Sequence, residues 1–210
     1  MNLKELRKST RKIINEETDV FFSDDDIDFA INESYFELAD ATEFYEREAQ
    51  IPMLKWRTYY DLSKILAPDT FLSPRRCQNV TTSKWLDPTD TREMDYHTYV
   101  QWEKTLGEPE KYFMRGNWWF GVFPKPTQDG IGIRFYHTAI PPRMVNDSDI
   151  PLDIPREFHV GLIDGAMADL MGQQRETQKA IQYWNSFQTT VNKVAAFVDG
   201  RTSIAEYKVL

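Results

Sequence analysis

Helical periodicity is confined to the two ends of the chain, and it constrains the fold more than any other feature of the sequence. In residues 2–16, apolar positions recur at helical spacing among lysines and arginines, which predicts an amphipathic helix. Ser23 is a good N-cap, and the aspartates that follow it suit the positive end of a helix dipole. We therefore interpret this acidic run as the start of a second helix, extending to about Glu48, and not as a metal site.

Two more helices are predicted near the other end. Pro155 suits a first helical position, and the apolar residues after it share one face. The clearest periodicity of the sequence predicts the last helix and comprises Ala180, Trp184, Phe187, Val191, Val194 and Val198. Asp199-Gly200 is expected to end this helix, which leaves residues 201–210 as a tail.

The middle of the chain consists of short runs of strand-forming residues separated by turns. Residues 116–123 and 131–137 are joined by a polar turn containing Gly130, and we predict that they pair as antiparallel strands. A short helix is predicted within residues 95–105. The expected fold class is mainly α with a β-rich insertion (α+β).

The predicted elements indicate one domain over residues 1–210. The helices of residues 1–50 and 155–199 are expected to form a bundle, with residues 51–140 as an inserted antiparallel β region. Residues 201–210 form a C-terminal tail, which a partner would order.

Composition excludes several classes of protein. A formal net charge of −8 lacks the basic footprint of a sequence-reading nucleic-acid binder. A single cysteine, Cys77, excludes an internal disulfide and a multi-cysteine zinc site. No apolar run approaches the about 20 residues of a membrane span, and the first residues lack a signal-peptide core. We therefore expect a protein of a cytosolic compartment without a membrane partner.

No catalytic, cofactor-binding or metal-binding motif emerges from the sequence. His97, His137 and His159 lie in separate segments, and none has a second ligand at helical spacing. Arginines next to Cys77 would lower its thiol pKa, but a structural or surface cysteine is favoured. The expected protein is a non-enzyme without a cofactor, and a small hydrolase is the least favoured alternative.

The aromatic run of Trp118, Trp119 and Phe120 is a candidate contact surface. Three adjacent rings suit a stacking platform for sugars or a protein contact. Strand alternation favours the simpler interpretation that at least half of these rings face the core. Glycan binding through these rings remains the alternative function.

Several segments resemble phage head-to-tail adaptor proteins of the tail tubular type. The resemblance extends through most of the chain in order and is carried by residues 6–15, Phe22-Ser23-Asp24-Asp25-Asp26-Ile27, Ile31-Asn32-Glu33, Gly130-Ile131, residues 150–159 and residues 180–183. It implies a virion protein of the neck or tail, assembled in the host cytoplasm. Such proteins form a ring, expected to be a dodecamer, between the portal protein and a downstream tail protein.

The resemblance also implies roles for particular residues. The C-terminal segment would dock on the portal through Arg201, Ile204, Tyr207, Val209 and Leu210. Trp118, Trp119 and Phe120 would contact the tail or a neighbouring subunit. Double-stranded DNA would pass through the lumen without specific binding, because an acidic wall repels phosphates.

Overall fold

The computed structural model describes residues 1–15, 21–67, 70–97 and 101–207, with the side chains of these residues except 97 and 201–207. The chain divides into two compact units. Met1–Tyr45 and Ile140–Leu210 form a helical unit, and Glu46–Ala139 form a β-rich unit. The α+β fold class predicted from the sequence is confirmed.

The described residues form helices and strands in the following order. The helices are α1 (Leu3–Ile14), α2 (Asp24–Thr42), α3 (Thr91–His97), α4 (His159–Gln173) and α5 (Thr177–Tyr207). The strands are β1 (Glu46–Pro52), β2 (Tyr59–Asp61), β3 (Phe71–Asn79), β4 (Trp85–Pro88), β5 (Leu106–Gly107), β6 (Lys111–Arg115), β7 (Trp119–Phe123), β8 (Lys125–Pro126) and β9 (Gly132–Ala139). Short 3₁₀ turns cover residues 62–64, 102–104 and 156–158.

The first two helices begin at capping boxes. The Asn2 side chain accepts a hydrogen bond from the Glu5 backbone N–H, and the Glu5 carboxylate accepts one from the Asn2 backbone N–H. Ser23 and Asp26 make the same reciprocal pair at the start of α2. Each pair satisfies two backbone donors that the helix leaves open. The prediction that the acidic run starts a helix is confirmed.

The second helix ends earlier than predicted. It stops at Thr42 because Glu43 adopts a left-handed conformation, with φ of 50°, and donates its N–H to the Ala39 carbonyl at 2.8 Å. Residues 46–52 alternate in exposure and pair with β9 as strand β1. The prediction of helix to about Glu48 was wrong, because pairing with a strand far along the chain overrides local periodicity.

The last helix continues beyond its predicted end. Gly200 does not adopt the left-handed conformation with which a glycine stops a helix, and α5 runs on to Tyr207. A glycine inside a helix costs only about 1 kcal/mol relative to alanine. The backbone of residues 201–207 is therefore helix and not a tail.

The core of the helical unit lies where α2, α4 and α5 meet α1. Buried members include Leu6, Ile31, Leu162 and Phe187. Helix α4 approaches α2 so closely at Gly165 that a Cβ there would lie 2.6 Å from the Ser34 Oγ atom. The hydrogen side chain of glycine thus sets the distance between these two helices.

The proline-rich connector before α4 is held by side chains of α2. Asn32 donates to the Met144 carbonyl at 3.0 Å and accepts from the Met144 N–H at 2.8 Å. The Tyr35 hydroxyl accepts from the Leu152 N–H at 2.8 Å and donates to the Leu152 carbonyl at 3.1 Å. The connector has no regular structure, and these bonds satisfy backbone groups that a strand or helix would otherwise pair.

An ionic network joins α1 to the start of α2. Arg7 donates to both carboxylate oxygens of Asp28, at 2.7 and 2.5 Å, and contacts Asp24 and Asp147. These carboxylates raise the pKa of the Arg7 guanidinium. Because Arg7 is largely buried and its fork is bidentate, the network fixes the approach of α1 to α2.

The β-rich unit contains a seven-stranded mixed sheet in the order β1-β9-β3-β4-β6-β7-β2. Strands β4 and β6 are parallel, and the other pairs of this sheet are antiparallel. A separate parallel pair joins β5 and β8. The apolar face of the large sheet buries Phe120, Ile133 and Phe135.

The predicted pairing of residues 116–123 with residues 131–137 was wrong. Strand β7 pairs with β6, and β9 lies between β1 and β3. The tight turn is at Gly116, which has a φ of 63° and connects Arg115 to Trp119. Pro124 and Pro126 lie between β7 and β9, and because proline has no N–H to donate, they disfavour a continuous hairpin of these two strands.

Candidate interaction surfaces

The potentially reactive side chains are buried and dispersed. Cys77 is fully buried, and burial raises the pKa of its thiol, which opposes nucleophilic chemistry. His137 and His159 are also buried, and they lie in different units. The side chain of His97 lies outside the described residues. No group of three or more potential metal ligands is found within the ranges that the structure describes.

His159 occupies a satisfied structural position at the start of α4. Its Nδ1 lies 2.7 Å from the α-amino nitrogen of Met1, and its Nε2 lies 3.2 Å from the Ile154 carbonyl oxygen. The neutral ring accepts at Nδ1 and donates at Nε2. Burial lowers the pKa of His159, and burial also lowers the pKa of His137.

We expect the protein to lose stability when the pH falls from about 7.5 to about 5.5. A histidine whose pKa is lowered by folding contributes stability that is complete above its unfolded value of about 6.5 and is lost as the pH falls through the folded pKa. Urea denaturation at both pH values measures the change. His159→Gln and His137→Gln variants should each show a smaller change than the native protein.

An equal pH dependence in the native protein and the double variant would contradict this assignment. Partial desolvation raises the pKa of the exposed Glu37 and of the half-buried Asp164, and these two shifts act in the opposite direction. Because they act in the opposite direction in native protein and histidine variants alike, comparing the variants with the native protein isolates the contribution of the histidines. The pKa of the α-amino group is lowered by burial, and this shift acts in the same direction as the histidines; His137→Gln leaves the contact of this group with His159 in place.

The aromatic run does not form one platform. Phe120 is 0% exposed and its ring lies 5.3 Å from that of Phe135, so it is a core residue and is not offered to a partner. Trp118 lies in the turn and packs at 6.0 Å against Phe71. Trp119 is 46% exposed on the other face of β7. The interface expected from Trp118, Trp119 and Phe120 is therefore restricted to Trp119 and the exposed part of Trp118.

A second aromatic surface was missed by the sequence analysis. The Arg76 guanidinium lies 4.8 Å from the ring centroids of both Trp85 and Tyr136 on the exposed face of the sheet. Arg76 pairs with Tyr136 across β3 and β9, and Trp85 lies on β4 next to this pair. Arginine and aromatic side chains on an exposed surface are typical of protein interfaces. Only the strand register brings these three residues together.

Three of the five residues expected to bind the portal lie at the end of α5. Arg201, Ile204 and Tyr207 recur at three-residue intervals along the helix backbone, which places them on successive turns. Val209 and Leu210 lie outside the described residues. No helix in the described ranges combines the length and apolar character that crossing a membrane requires.

A comparison with known protein families identifies the family of this chain. The family model described as SU10 adaptor protein matches residues 1–205. The chain belongs to the SU10 adaptor protein family. A search of curated proteins finds no match.

Membership of the SU10 adaptor family confirms the resemblance stated from the sequence. This is a family of phage head-to-tail adaptors, so the protein is a phage adaptor and belongs to the virion. A structural adaptor family favours a non-enzymatic role with portal and tail components as partners. The match includes both units, so the β-rich unit is part of the SU10 adaptor architecture.

Proposed function

We propose that this protein forms a ring that binds the portal through its C-terminal helix and joins it to the next tail protein. The family match over residues 1–205 carries the proposal, because it includes nearly the whole chain and both units. The glycan-binding alternative has no support in the geometry, since Phe120 is buried and Trp118 packs against Phe71.

The end of α5 is the proposed portal contact. Residues 201–210 follow Val198, the last described side chain that packs against the core of the helical unit. A helix that extends past its own core offers side chains to another protein at little cost to the monomer. Arg201, Ile204, Tyr207, Val209 and Leu210 are the proposed contacts.

The tail-facing contact is assigned to the β-rich unit. Trp119 is exposed, and the Trp85, Arg76 and Tyr136 cluster lies on the open face of the sheet. The net charge of −8 suits a ring around double-stranded DNA, since like charge repels phosphates and lets the DNA pass without specific binding. Assembly would take place in the host cytoplasm, and a dodecamer is the expected ring.

Truncation after Gly200 should abolish co-assembly with the portal protein while leaving the melting temperature nearly unchanged. The truncation leaves every described core residue of α5 in place, Val198 included, so the core of the helical unit is retained. Electron microscopy of portal particles mixed with the full-length or truncated protein measures co-assembly, and thermal denaturation measures stability.

Trp119→Ala provides the matched control, because it alters an exposed ring of the other unit. This variant should bind the portal normally and lose attachment of the next tail protein. Normal portal binding by the truncated protein would show that the end of α5 is not the contact. Bare portals with the full-length protein at every concentration would overturn the proposed function.

A further inference from the structure

An acidic, partly apolar groove lies on the helical unit between α2, α4 and α5. Its volume is about 580 Å³, and its lining includes Phe29, Glu37, Asp169, Ile181 and Trp184. Phe29 is 51% exposed, Ile181 50% and Trp184 41%. Three large apolar side chains beside each other and half exposed to water are typical of a surface that another protein covers.

Glu33 of this groove pairs with Arg143 at 3.7 Å, but two further carboxylates of the lining have no such cation in the described part of the chain. Within the residues that the structure describes, Glu37 and Asp169 form no ion pair. Desolvation and the neighbouring Asp40 raise the pKa of Glu37, as expected for a carboxyl group near apolar surface without a counter-charge. An incoming cation would offset the repulsion between Glu37 and Asp40 and favour the charged carboxylate.

The same chain carries a complementary surface on α1. Lys8 and Lys12 are exposed, are one helical turn apart and form no ion pair within the described parts of the chain. They lie on the side of α1 opposite the buried Leu3, Leu6 and Thr10. A lysine can lay its methylene stem along an apolar ring and place its ammonium group at a carboxylate or over a tryptophan face.

The two surfaces are on opposite sides of α2. Arg7 of α1 holds Asp24 and Asp28, whereas Glu33 and Glu37 line the groove. Residues nine positions apart in an α-helix differ by two and a half turns, so Glu33 and Glu37 lie opposite Asp24 and Asp28. A chain bound through its α1 therefore still presents its own groove on its far side.

We propose that the groove between α2, α4 and α5 receives Lys8 and Lys12 of α1 from a second copy of this chain. The contact is heterologous, and repeating it from copy to copy generates a ring when the rotation closes. This inference rests on the proposed function, because it assigns the subunit contact of the ring. Phe29 and Trp184 supply the apolar surface, and Glu37 and Asp169 supply the charge.

Charge reversal on each side, followed by both together, tests the contact. The variants are Lys8→Glu/Lys12→Glu, Glu37→Lys/Asp169→Lys and the combination of all four changes. Sedimentation velocity without portal and electron microscopy with portal measure assembly. Each double variant should assemble at least about 10-fold more weakly, since like charges then face each other. The combined variant should regain assembly because the charges again match.

Lys84→Glu/Lys193→Glu is the matched control for Lys8→Glu/Lys12→Glu, because it makes the same change in net charge at exposed positions outside the groove. Its assembly should equal that of the native protein. Circular dichroism and melting temperature of every variant verify folding.

Native assembly by both double reversals would overturn the groove contact and leave the proposed ring intact. Intact self-assembly with loss of portal or tail binding would assign the groove to that other partner and overturn the inference. If the native protein never associates, with or without portal, the proposed function and this inference both fail.

A cross-linking measurement gives an independent result. Cys77, the single cysteine of the chain, is fully buried, so a disulfide between introduced cysteines can be detected without a contribution from Cys77. Lys12→Cys protein mixed with Glu37→Cys protein on portal should form a disulfide between copies under mild oxidation. Lys84→Cys with Glu37→Cys should not. Equal cross-linking by both mixtures would contradict the contact.

Discussion

Phe187→Ala should destabilise the protein by about 3–5 kcal/mol, the range for removing a fully buried phenylalanine. Phe187 is 0% exposed, and its ring lies where α5 meets Gly165 of α4, at 3.0 Å from the position of a Cβ there. The close helix crossing leaves little room for the structure to collapse into the resulting cavity. Urea denaturation of the native protein and the variant measures the difference in free energy of unfolding.

Trp184→Ala is the control, one helical turn before Phe187. Both residues belong to the periodic face from which the last helix was predicted, but Trp184 is 41% exposed in the groove. Trp184→Ala should lower the free energy of unfolding by less than half as much as Phe187→Ala, because the half-exposed Trp184 ring buries a smaller fraction of its apolar surface. Equal losses for the two variants would contradict the difference in burial.

Asn32→Leu should destabilise the protein by about 2–4 kcal/mol. The change keeps the side-chain volume similar but removes both hydrogen bonds to Met144 and the one to the Asp28 carbonyl. Met144 is buried, so its N–H and carbonyl group would then lack partners in a place that water does not reach. Chemical denaturation measures the loss, and hydrogen exchange at the Met144 amide should become faster.

The neighbouring Glu33→Gln change separates this effect from a general disturbance of α2. Glu33 is exposed and forms a 3.7 Å ion pair with Arg143 at the surface. Removing such a pair changes stability by less than about 1 kcal/mol. A comparable loss in both variants would show that Asn32 does not hold the connector.

The helix starts could be predicted from sequence because the signals are local. Ser23 and Asp26 are three residues apart, and this spacing alone fixes their reciprocal hydrogen bonds. The alternation of α and β regions was likewise visible in the periodicity. The boundaries were less accurate, since the end of α2 depends on β1 pairing with β9 far along the chain.

The candidate surfaces could be predicted only in part. Strand was predicted for residues 116–123 and is found from Trp119 to Phe123, with Trp118 in the preceding turn; the strand register decides that Phe120 is buried and Trp119 exposed. Arg76, Trp85 and Tyr136 meet through pairing among three strands, which no local pattern indicates. Asn32 and Met144 are separated by more than a hundred residues, so the bond between them was invisible in the sequence.

The chain enters and leaves the β-rich unit at two neighbouring points. Glu46 at the beginning of β1 pairs directly with Thr138 near the end of β9. Backbones of paired strands are only about 5 Å apart, so the first and last residues of the inserted unit are close together. An insertion with adjacent ends can be lengthened, shortened or replaced without changing the helices on either side of it. One adaptor scaffold could therefore acquire new binding partners through changes in its β-rich unit alone.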